Sequence, residues 1–493
     1  MHLPANSRLA AAAMTALALF VPQGCTVGPH YQAPAPPTIT AYAPQPVAHA
    51  TVSASGPGGS EQRFNASAGI SAQWWTAFHS AALDSMVQQA LGNSPLLDEA
   101  TAKLRQAQEE LNARTGATRY PTVGGSASVV QQQVNLAAYG IPIANPSPFT
   151  LLNGSVAVSY ALDIFGGNRR LIEGLRAQTA YQQWQLEGAR LMLAGNVVSA
   201  AIRQAQLNSE IEITRQMLDV EEHELKIVEA RRGAGGASDY EVRRQRTTVA
   251  QTRALLPPLE QQLDAVNDQL AVLMGKAPAE VEAARISLDG LDLPEELPMS
   301  LPSSLLRRRP DIGAAEALLH QASANVGVAT ANLYPQIVLS GGGGGVGKSF
   351  LSGGDIWNVG ASLAQPIYNG GALRAEQRKA EASYDEAGAE YRQTVLEAFA
   401  QVADVLYAIQ NDAQALQART EAASAAEAAF EIAAMRLKAG GISQIALLDA
   451  ERKELQTKLD RTASVADRYS DSATLYEALG GGWWNTKAGD STH

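Results

Sequence analysis

Cysteine and histidine are scarce in this chain, and their scarcity excludes several kinds of chemistry. Cys25 is the only cysteine among 493 residues, so no disulfide can form within the chain. The seven histidines are scattered and lack the spacing of metal ligands. No nucleophile elbow is present either. We therefore expect neither enzyme activity nor a bound metal or other non-covalent cofactor.

A basic surface and a long apolar run are also missing. The net charge of −11 leaves no clustered Lys/Arg face for nucleic acid. After Cys25 no segment offers about twenty consecutive apolar residues, the length that a transmembrane helix needs. If the mature chain crosses a membrane, it must do so as a β-barrel, because only a closed sheet then satisfies its backbone groups.

The N-terminus, residues 1–24, has the pattern of an export signal. Arg8 precedes an Ala/Leu-rich apolar run over residues 9–21, which is too short to span a membrane. Cys25 follows where a bacterial lipoprotein signal is cut, so we expect it to carry diacylglycerol and an N-acyl chain. The alternative is an ordinary signal with an incidental thiol. Residues 25–72, rich in Pro, Ala, Ser and Gly, predict an extended lipid-anchored segment.

The remainder of the chain is duplicated with an offset of roughly two hundred residues. Tyr120-Pro121 corresponds to Tyr334-Pro335, and Ile164-Phe165 corresponds to Ile367-Tyr368. The predicted domains are a first repeat over residues 73–285, a linker over 286–302, a second repeat over 303–480 and a flexible tail over 481–493.

Each repeat is expected to contain one very long helix. Residues 372–438 lack proline and hold a single glycine, which predicts a helix of roughly 100 Å. The matching helix of the first repeat is expected over about residues 169–232. Both should stop at a glycine pair and continue into a return helix, the first one kinked by Pro257-Pro258. Apolar residues at heptad spacing predict a packed seam of Val395, Phe399, Val402, Leu406, Ile409, Ala413 and Leu416 in the second repeat and Leu207, Ile211, Leu218, Leu225 and Val228 in the first.

Two strands should precede each long helix. Alternation with a period of two predicts strands over residues 122–134, 154–162, 336–339 with a glycine-rich extension, and 359–364. Four strands cannot close a sheet in lipid, since the smallest membrane barrels have about eight. Two copies would supply eight strands around a filled interior, and three copies would supply twelve around a lumen. We favour three.

One formal motif is a decoy. Residues 342–349 match the phosphate-binding P-loop pattern, but that chemistry needs a helix to begin at Lys348-Ser349 so that its amides face the anion. Residues 350–354 instead predict a loop, so we expect no nucleotide to bind.

Several motifs, taken together, carry a resemblance that covers the chain from Cys25 to about Leu479. They are Val27-Gly28-Pro29-His30-Tyr31, Trp74-Trp75-Thr76-Ala77-Phe78, Leu162-Asp163-Ile164-Phe165-Gly166, Arg308-Arg309-Pro310-Asp311-Ile312 and Gln365-Pro366-Ile367-Tyr368-Asn369-Gly370-Gly371. In these the chain resembles the TolC-like outer-membrane efflux proteins of the lipoprotein (NodT) branch.

This resemblance implies an α+β fold, with helical hairpins forming a periplasmic α-barrel and four strands per chain in a trimeric twelve-stranded transmembrane β-barrel. It places the protein in the bacterial outer membrane, lipid-anchored and with a large periplasmic portion. It also implies work as a homotrimer with a periplasmic adaptor and an inner-membrane efflux pump.

The residues just after the two glycine-rich turns are candidates for a channel constriction. Tyr240 and Arg244 follow the first turn, where Ile445 and Asp449 follow the second. Each pair is spaced i, i+4 and therefore shares one helix face. The resemblance implies that Ile445 forms an apolar ring and Asp449 an acidic ring that narrow a pore and select by charge. The alternative is that all four are ordinary surface residues.

The turns themselves are candidates for partner docking, because small residues allow close backbone approach. The alternative is that they are simply helix caps. The residues concerned are Gly235, Gly236, Ser238, Gly440, Gly441 and Ser443.

The sequence therefore favours a passive exit duct of a tripartite efflux system for small molecules such as drugs or toxic compounds. Two alternatives remain open: the same duct serving metal-ion or protein export, and a structural coiled-coil envelope lipoprotein without a pore.

Overall fold

A computed structural model of the chain describes residues 26–35, 39, 41, 42, 48–66, 68–135, 140, 147–280, 286–347 and 354–485. The expected export signal, Cys25, Lys348 and Ser349 lie outside these residues, as does the tail from 486 onward. None of the helices in the described ranges has the length and hydropathy needed to cross a membrane.

The described residues form strands and helices in two similar series. The strands are β1 (Arg63–Asn65), β2 (Thr122–Gln132), β3 (Phe149–Leu162), β4 (Glu296–Pro298), β5 (Gln336–Gly347) and β6 (Gly354–Ala364). The helices are α1 (Ala81–Asn93), α2 (Pro95–Arg119), α3 (Gly167–Gly233), α4 (Asp239–Leu273), α5 (Pro302–Leu305), α6 (Pro310–Ala331), α7 (Ala372–Lys438) and α8 (Gln444–Ala478).

The long helices repeat to the residue. A shift of 205 carries α3 (Gly167–Gly233) onto α7 (Ala372–Lys438), and it carries α4 (Asp239–Leu273) onto α8 (Gln444–Ala478). Both long helices therefore have 67 residues and both return helices have 35. The helix predicted over residues 372–438 is confirmed at both ends. Helix α4 continues through Pro257-Pro258, so the two prolines do not end the helix.

The predicted seam of α7 is buried at every position, which confirms the heptad interpretation for that helix. In α3, Leu207, Ile211 and Val228 are buried, whereas Leu218 and Leu225 are only half-buried. The heptad pattern was therefore a better guide to packing in the second repeat than in the first.

The main sheet is antiparallel throughout and has the strand order β2-β3-β5-β6. Two strands are longer than predicted, since β3 begins at Phe149 and β6 begins at Gly354. The predicted glycine-rich extension of β5 is confirmed as far as Gly347. Neighbours on both sides hydrogen-bond to these glycines, so they remain extended although glycine alone favours no strand.

Opposite faces of this sheet differ in polarity, because side chains alternate along each strand and the registers keep like residues together. One face carries Val123, Val129, Val156, Val158, Leu339, Trp357, Val359 and Leu363. The other face carries Ser126, Ser128, Ser155, Ser340, Asn358 and Ser362, with the Ser126 and Ser155 hydroxyl oxygens 2.9 Å apart. The apolar face is exposed in the single chain: Trp357 is 81% and Val359 is 82% accessible.

The chain divides into two compact units, and each unit takes segments from both repeats. The first comprises Met1–Pro34, Lys103–Gln182 and Ala315–Tyr391, and it contains the four-stranded sheet. The second comprises Ala35–Ala102, Gln183–Ala314 and Arg392–His493.

A buried arginine organises part of the second unit. Arg468, on α8, donates to the carbonyl oxygen of Gly58 at 2.5 Å and to Oε1 of Gln62 at 2.8 Å. Gln62 in turn donates to the Ser472 hydroxyl oxygen at 2.9 Å. Because a buried guanidinium must be hydrogen-bonded, these contacts hold part of residues 48–66 against α8.

Candidate functional site

The two helical hairpins end in turns of matching geometry. Gly235 and Gly440 have φ values of 75° and 73°, in the left-handed region that favours glycine. The Gly235 amide donates to the Arg232 carbonyl oxygen, and the Gly440 amide donates to the Leu437 carbonyl oxygen, each at 2.9 Å. The first glycine of each pair is therefore required by the helix end itself.

Each return helix begins with a serine cap. The Ser238 hydroxyl oxygen accepts from the Glu241 amide at 3.3 Å, and the Glu241 carboxylate accepts from the Ser238 amide at 2.6 Å. At the second turn the Ser443 hydroxyl oxygen accepts from the Ala446 amide at 3.2 Å. Both serines named as docking candidates therefore cap a return helix. This structural role is compatible with docking of a partner and does not test it.

The second glycine of each pair differs from the first. A Cβ atom built on Gly236 would lie 3.5 Å from the Arg231 carbonyl oxygen, and one on Gly441 would lie 3.4 Å from that of Arg436. Neither glycine has a positive φ. Side chains are therefore sterically possible at Gly236 and Gly441, which are close to the ends of the hairpins.

The four constriction candidates occupy different environments. Tyr240, Arg244 and Asp449 are exposed in the single chain, and Ile445 is half-buried. The Asp449 carboxylate accepts from the Arg452 guanidinium at 3.2 Å. This ion pair is exposed, so it contributes little to stability but orients the carboxylate.

A buried carboxylate interacts electrostatically with three charged side chains near the tips: Asp449, Arg452 and Arg244. Glu224, on α3, is 5% accessible and accepts from the Gln245 side-chain amide at 3.0 Å. Burial raises the pKa of Glu224 and the nearby Asp449 raises it further, whereas Arg452 and Arg244 oppose both effects. Arg244 and Asp449, from the two return helices, thus belong to one charged cluster.

A second buried carboxylate lies one turn earlier on α3. Glu221 is 2% accessible, and its Oε2 atom has no hydrogen-bond partner among the described residues. Burial raises the pKa of Glu221, although the Thr252 hydroxyl and Arg452 act against this rise. Glu221 and Glu224 are therefore exceptions to the general tendency of glutamates to remain exposed to solvent.

The heptad pattern of α3 draws attention to the position of Glu221 but does not determine its burial. The predicted heptad of α3 includes Leu218 and Leu225. Between them the next heptad position is occupied by Glu221 and not by an apolar residue. Leu218 and Leu225 are nevertheless only half-buried, and Glu224 is buried although it lies off the heptad, so the pattern does not predict which carboxylates are buried. Composition alone could not have identified them.

Replacing Glu221 by glutamine should stabilise the protein near neutral pH. Because the pKa of Glu221 is higher in the folded than in the unfolded chain, the native fold loses stability as pH rises through the folded-state value. Glu221→Gln removes this loss, and we expect a gain of roughly 1 kcal/mol at about pH 8 that shrinks towards about pH 4.5. Thermal unfolding at both pH values measures it.

The neighbouring residue Glu222 serves as the control, because its side chain is 36% accessible and pairs with Arg253 at the surface. Glu222→Gln should give no such pH-dependent gain. If the thermal unfolding midpoint of Glu221→Gln at about pH 8 is unchanged or lower, the charge of Glu221 does not destabilise the native fold.

Comparison with known proteins agrees with this geometry. The family model for outer membrane efflux protein matches the chain twice, over residues 86–276 and 301–481. The chain is also similar to the pyoverdine export outer membrane protein OpmQ of Pseudomonas aeruginosa, with 34% identity over 438 residues that cover 85% of this chain and 89% of OpmQ.

Two further proteins extend the comparison. The probable outer membrane lipoprotein SilC of Salmonella typhimurium is 28% identical over 418 residues, covering 83% of this chain and 88% of SilC. The solved structure of the outer-membrane channel OprN is 28% identical with a TM-score of 0.81, covering 93% of this chain and 100% of OprN. The predicted resemblance, the α+β channel fold and the outer-membrane location are thereby confirmed. The chain belongs to the outer membrane efflux protein family and is an outer-membrane efflux channel protein.

Proposed function

We propose that three copies of this chain form a passive exit duct for small toxic molecules, which a periplasmic adaptor and an inner-membrane pump deliver to it. The observation that carries the proposal is the open sheet. Among the described residues β2 and β6 each pair on one side only, so one edge of each strand has free N–H and C=O groups. Each such group costs several kcal/mol in lipid, and ring closure with further copies removes that cost.

The number of copies follows from the width of the channel. Two copies would give about eight strands, whose interior side chains fill the lumen, whereas three give about twelve and leave a passage for water and solutes. The same duct could serve protein or metal-ion export, but the eight methionines of the chain are dispersed and provide no soft-metal path. The alternative of a scaffold without a pore does not agree with membership of a family of efflux channels.

Two measurements on the purified protein test the proposal and its constriction together. We expect trimers that conduct ions in planar bilayers, and we expect Asp449→Ala to change conductance or cation selectivity by a factor of the order of two. An acidic ring attracts cations and repels anions, so its loss should reduce the preference for cations. Protein that remains trimeric but never conducts would contradict the proposed duct.

Asp460→Ala is the matched control for the constriction, since Asp460 is an exposed acid on α8 about three turns beyond Asp449. This variant should conduct as the wild type does. If both aspartate variants match the wild type in conductance and selectivity, Asp449 does not line the narrowest part of the channel.

The hairpin tips are proposed as the docking site for the adaptor. Gly236→Leu and Gly441→Leu should leave trimers intact, because their φ angles accept a side chain, yet block close approach of a partner. We expect in-cell cross-linking of the trimer to a periplasmic adaptor to fall roughly tenfold. The alanine variants at the same two positions are the controls and should dock nearly normally.

Substitution at Gly235 or Gly440 is not a suitable probe, because an L-residue at their positive φ strains the turn itself. Undiminished cross-linking with both leucine variants would show that the adaptor docks elsewhere.

Lipidation at Cys25 is proposed as the membrane anchor. SilC, a similar protein, is a probable outer membrane lipoprotein. The residues after Cys25 pack within the sheet-bearing unit. The Val27 amide donates to the Phe165 carbonyl oxygen at 3.1 Å, and Arg170 donates to the Val27 carbonyl oxygen at 3.3 Å. An anchor at Cys25 would thus be close in sequence to a segment fixed at the end of β3.

Mass spectrometry of the N-terminal peptide tests this anchor. We expect the wild-type peptide to begin at Cys25 and to carry the mass of a diacylglycerol and an N-acyl chain. Cys25→Ser should lack both modifications. A wild-type peptide with a free Cys25 thiol would exclude the anchor.

A further inference from the structure

The two repeats of one chain meet in the sheet where β3 pairs with β5. This β3–β5 pairing is called the internal seam. At its end Phe165, just after β3, stacks on Tyr334, just before β5, with ring centroids 4.7 Å apart and planes 18° from parallel. The seam therefore has two elements: a strand register and an aromatic pair that closes its end.

The equivalent residues of the opposite repeats are unpartnered in the described part of the chain. A shift of 203 carries Phe165 onto Tyr368, and a shift of 214 carries Tyr120 onto Tyr334. Tyr368 is 90% accessible and Tyr120 is 62% accessible. Each repeat thus presents one half of the aromatic pair that the internal seam already contains.

We propose that Tyr368 of one copy stacks on Tyr120 of the next copy, where β6 of the first pairs antiparallel with β2 of the second. The inference rests on the proposed duct and adds the residues that join its copies. The same two shifts transfer the internal register: Val156 opposite Gly343 becomes Val359 opposite Val129. Likewise, Ala161 opposite Val338 becomes Ala364 opposite Gly124.

An independent property of the sheet agrees with this register. Residues directly opposite each other lie on the same face, and the transferred register places Val359 opposite Val129, both on the apolar face. A slip by one residue would place Val359 opposite Ser128 or Val130, and it would turn every side chain of β2 to the wrong face. Polarity played no part in deriving the shifts.

The contact is also of the kind that closes a ring. It joins the β6 edge of one copy to the β2 edge of another, so an open assembly keeps one free β6 edge and one free β2 edge at its two ends until the ring is complete. A contact between like edges would stop at two copies.

Cysteine pairs in the full-length chain test the register. Val359→Cys with Val129→Cys, and separately Asn358→Cys with Val130→Cys, should cross-link on oxidation, because adjacent positions sample both kinds of antiparallel pair. We expect a non-reducing gel to show a ladder that ends at the covalent trimer. Val359→Cys with Gln131→Cys keeps the same face but shifts the register by two, and it should cross-link at least about fivefold less.

Each single-cysteine variant controls for contacts between like strands and for the thiol of Cys25. Cross-linking in a single variant would indicate a contact between like edges and overturn the inference. A predominantly off-register cross-link in trimers that still conduct ions would overturn the register while leaving the duct intact. Absence of trimers and of conductance would refute the duct itself.

A double-mutant cycle tests the aromatic contact. Tyr368→Ala and Tyr120→Ala should each speed trimer dissociation by about two- to tenfold, and the double variant should be little worse than either one. Phe165→Ala is the comparison, because it removes the same kind of stacking from the internal seam. Additive effects of the two tyrosine variants would show that these rings do not touch.

Discussion

The constraint on which the rest of the structure depends is that backbone N–H and C=O groups must be paired wherever water is absent. The long helices meet this constraint within themselves. The sheet does not, since β2 and β6 each have one unpaired edge among the described residues. A single copy is thus incomplete at the sheet, and a continuous apolar face makes association through the edges the economical solution.

Duplication explains how one chain can supply both sides of every seam. The helices of the two repeats match to the residue, so equivalent positions meet equivalent neighbours around a ring. The departures from this symmetry are chemically informative. Where α3 buries Glu221, the shift of 205 places Ala426 of α7, which is also buried. At this position the first repeat therefore has a buried carboxylate, and the second has a small apolar residue.

Much of the local structure could be predicted because its causes are local. A run without proline, heptad spacing and a terminal glycine defined α7 at both ends, and the serine caps follow from the same logic. Strand starts were less predictable: β3 begins at Phe149 and β6 begins at Gly354, whereas the predicted starts were residues 154 and 359. Hydrogen bonds to neighbouring strands hold these added residues in the sheet, and the residues themselves do not show which strands will lie beside them.

By itself the sequence determined the duplication, the long helical hairpins, the glycine turns and the family resemblance, because each depends on residue spacing or on local backbone preference. Only the tertiary structure decided the strand order and the burial of Glu221 and Glu224. It also decided which of the two aromatic pairs stacks within a single chain. Phe165 and Tyr368 occupy equivalent positions, yet the first packs on Tyr334 and the second is exposed. The reason is physical: packing depends on what lies across the seam, and that is a property of the assembled fold.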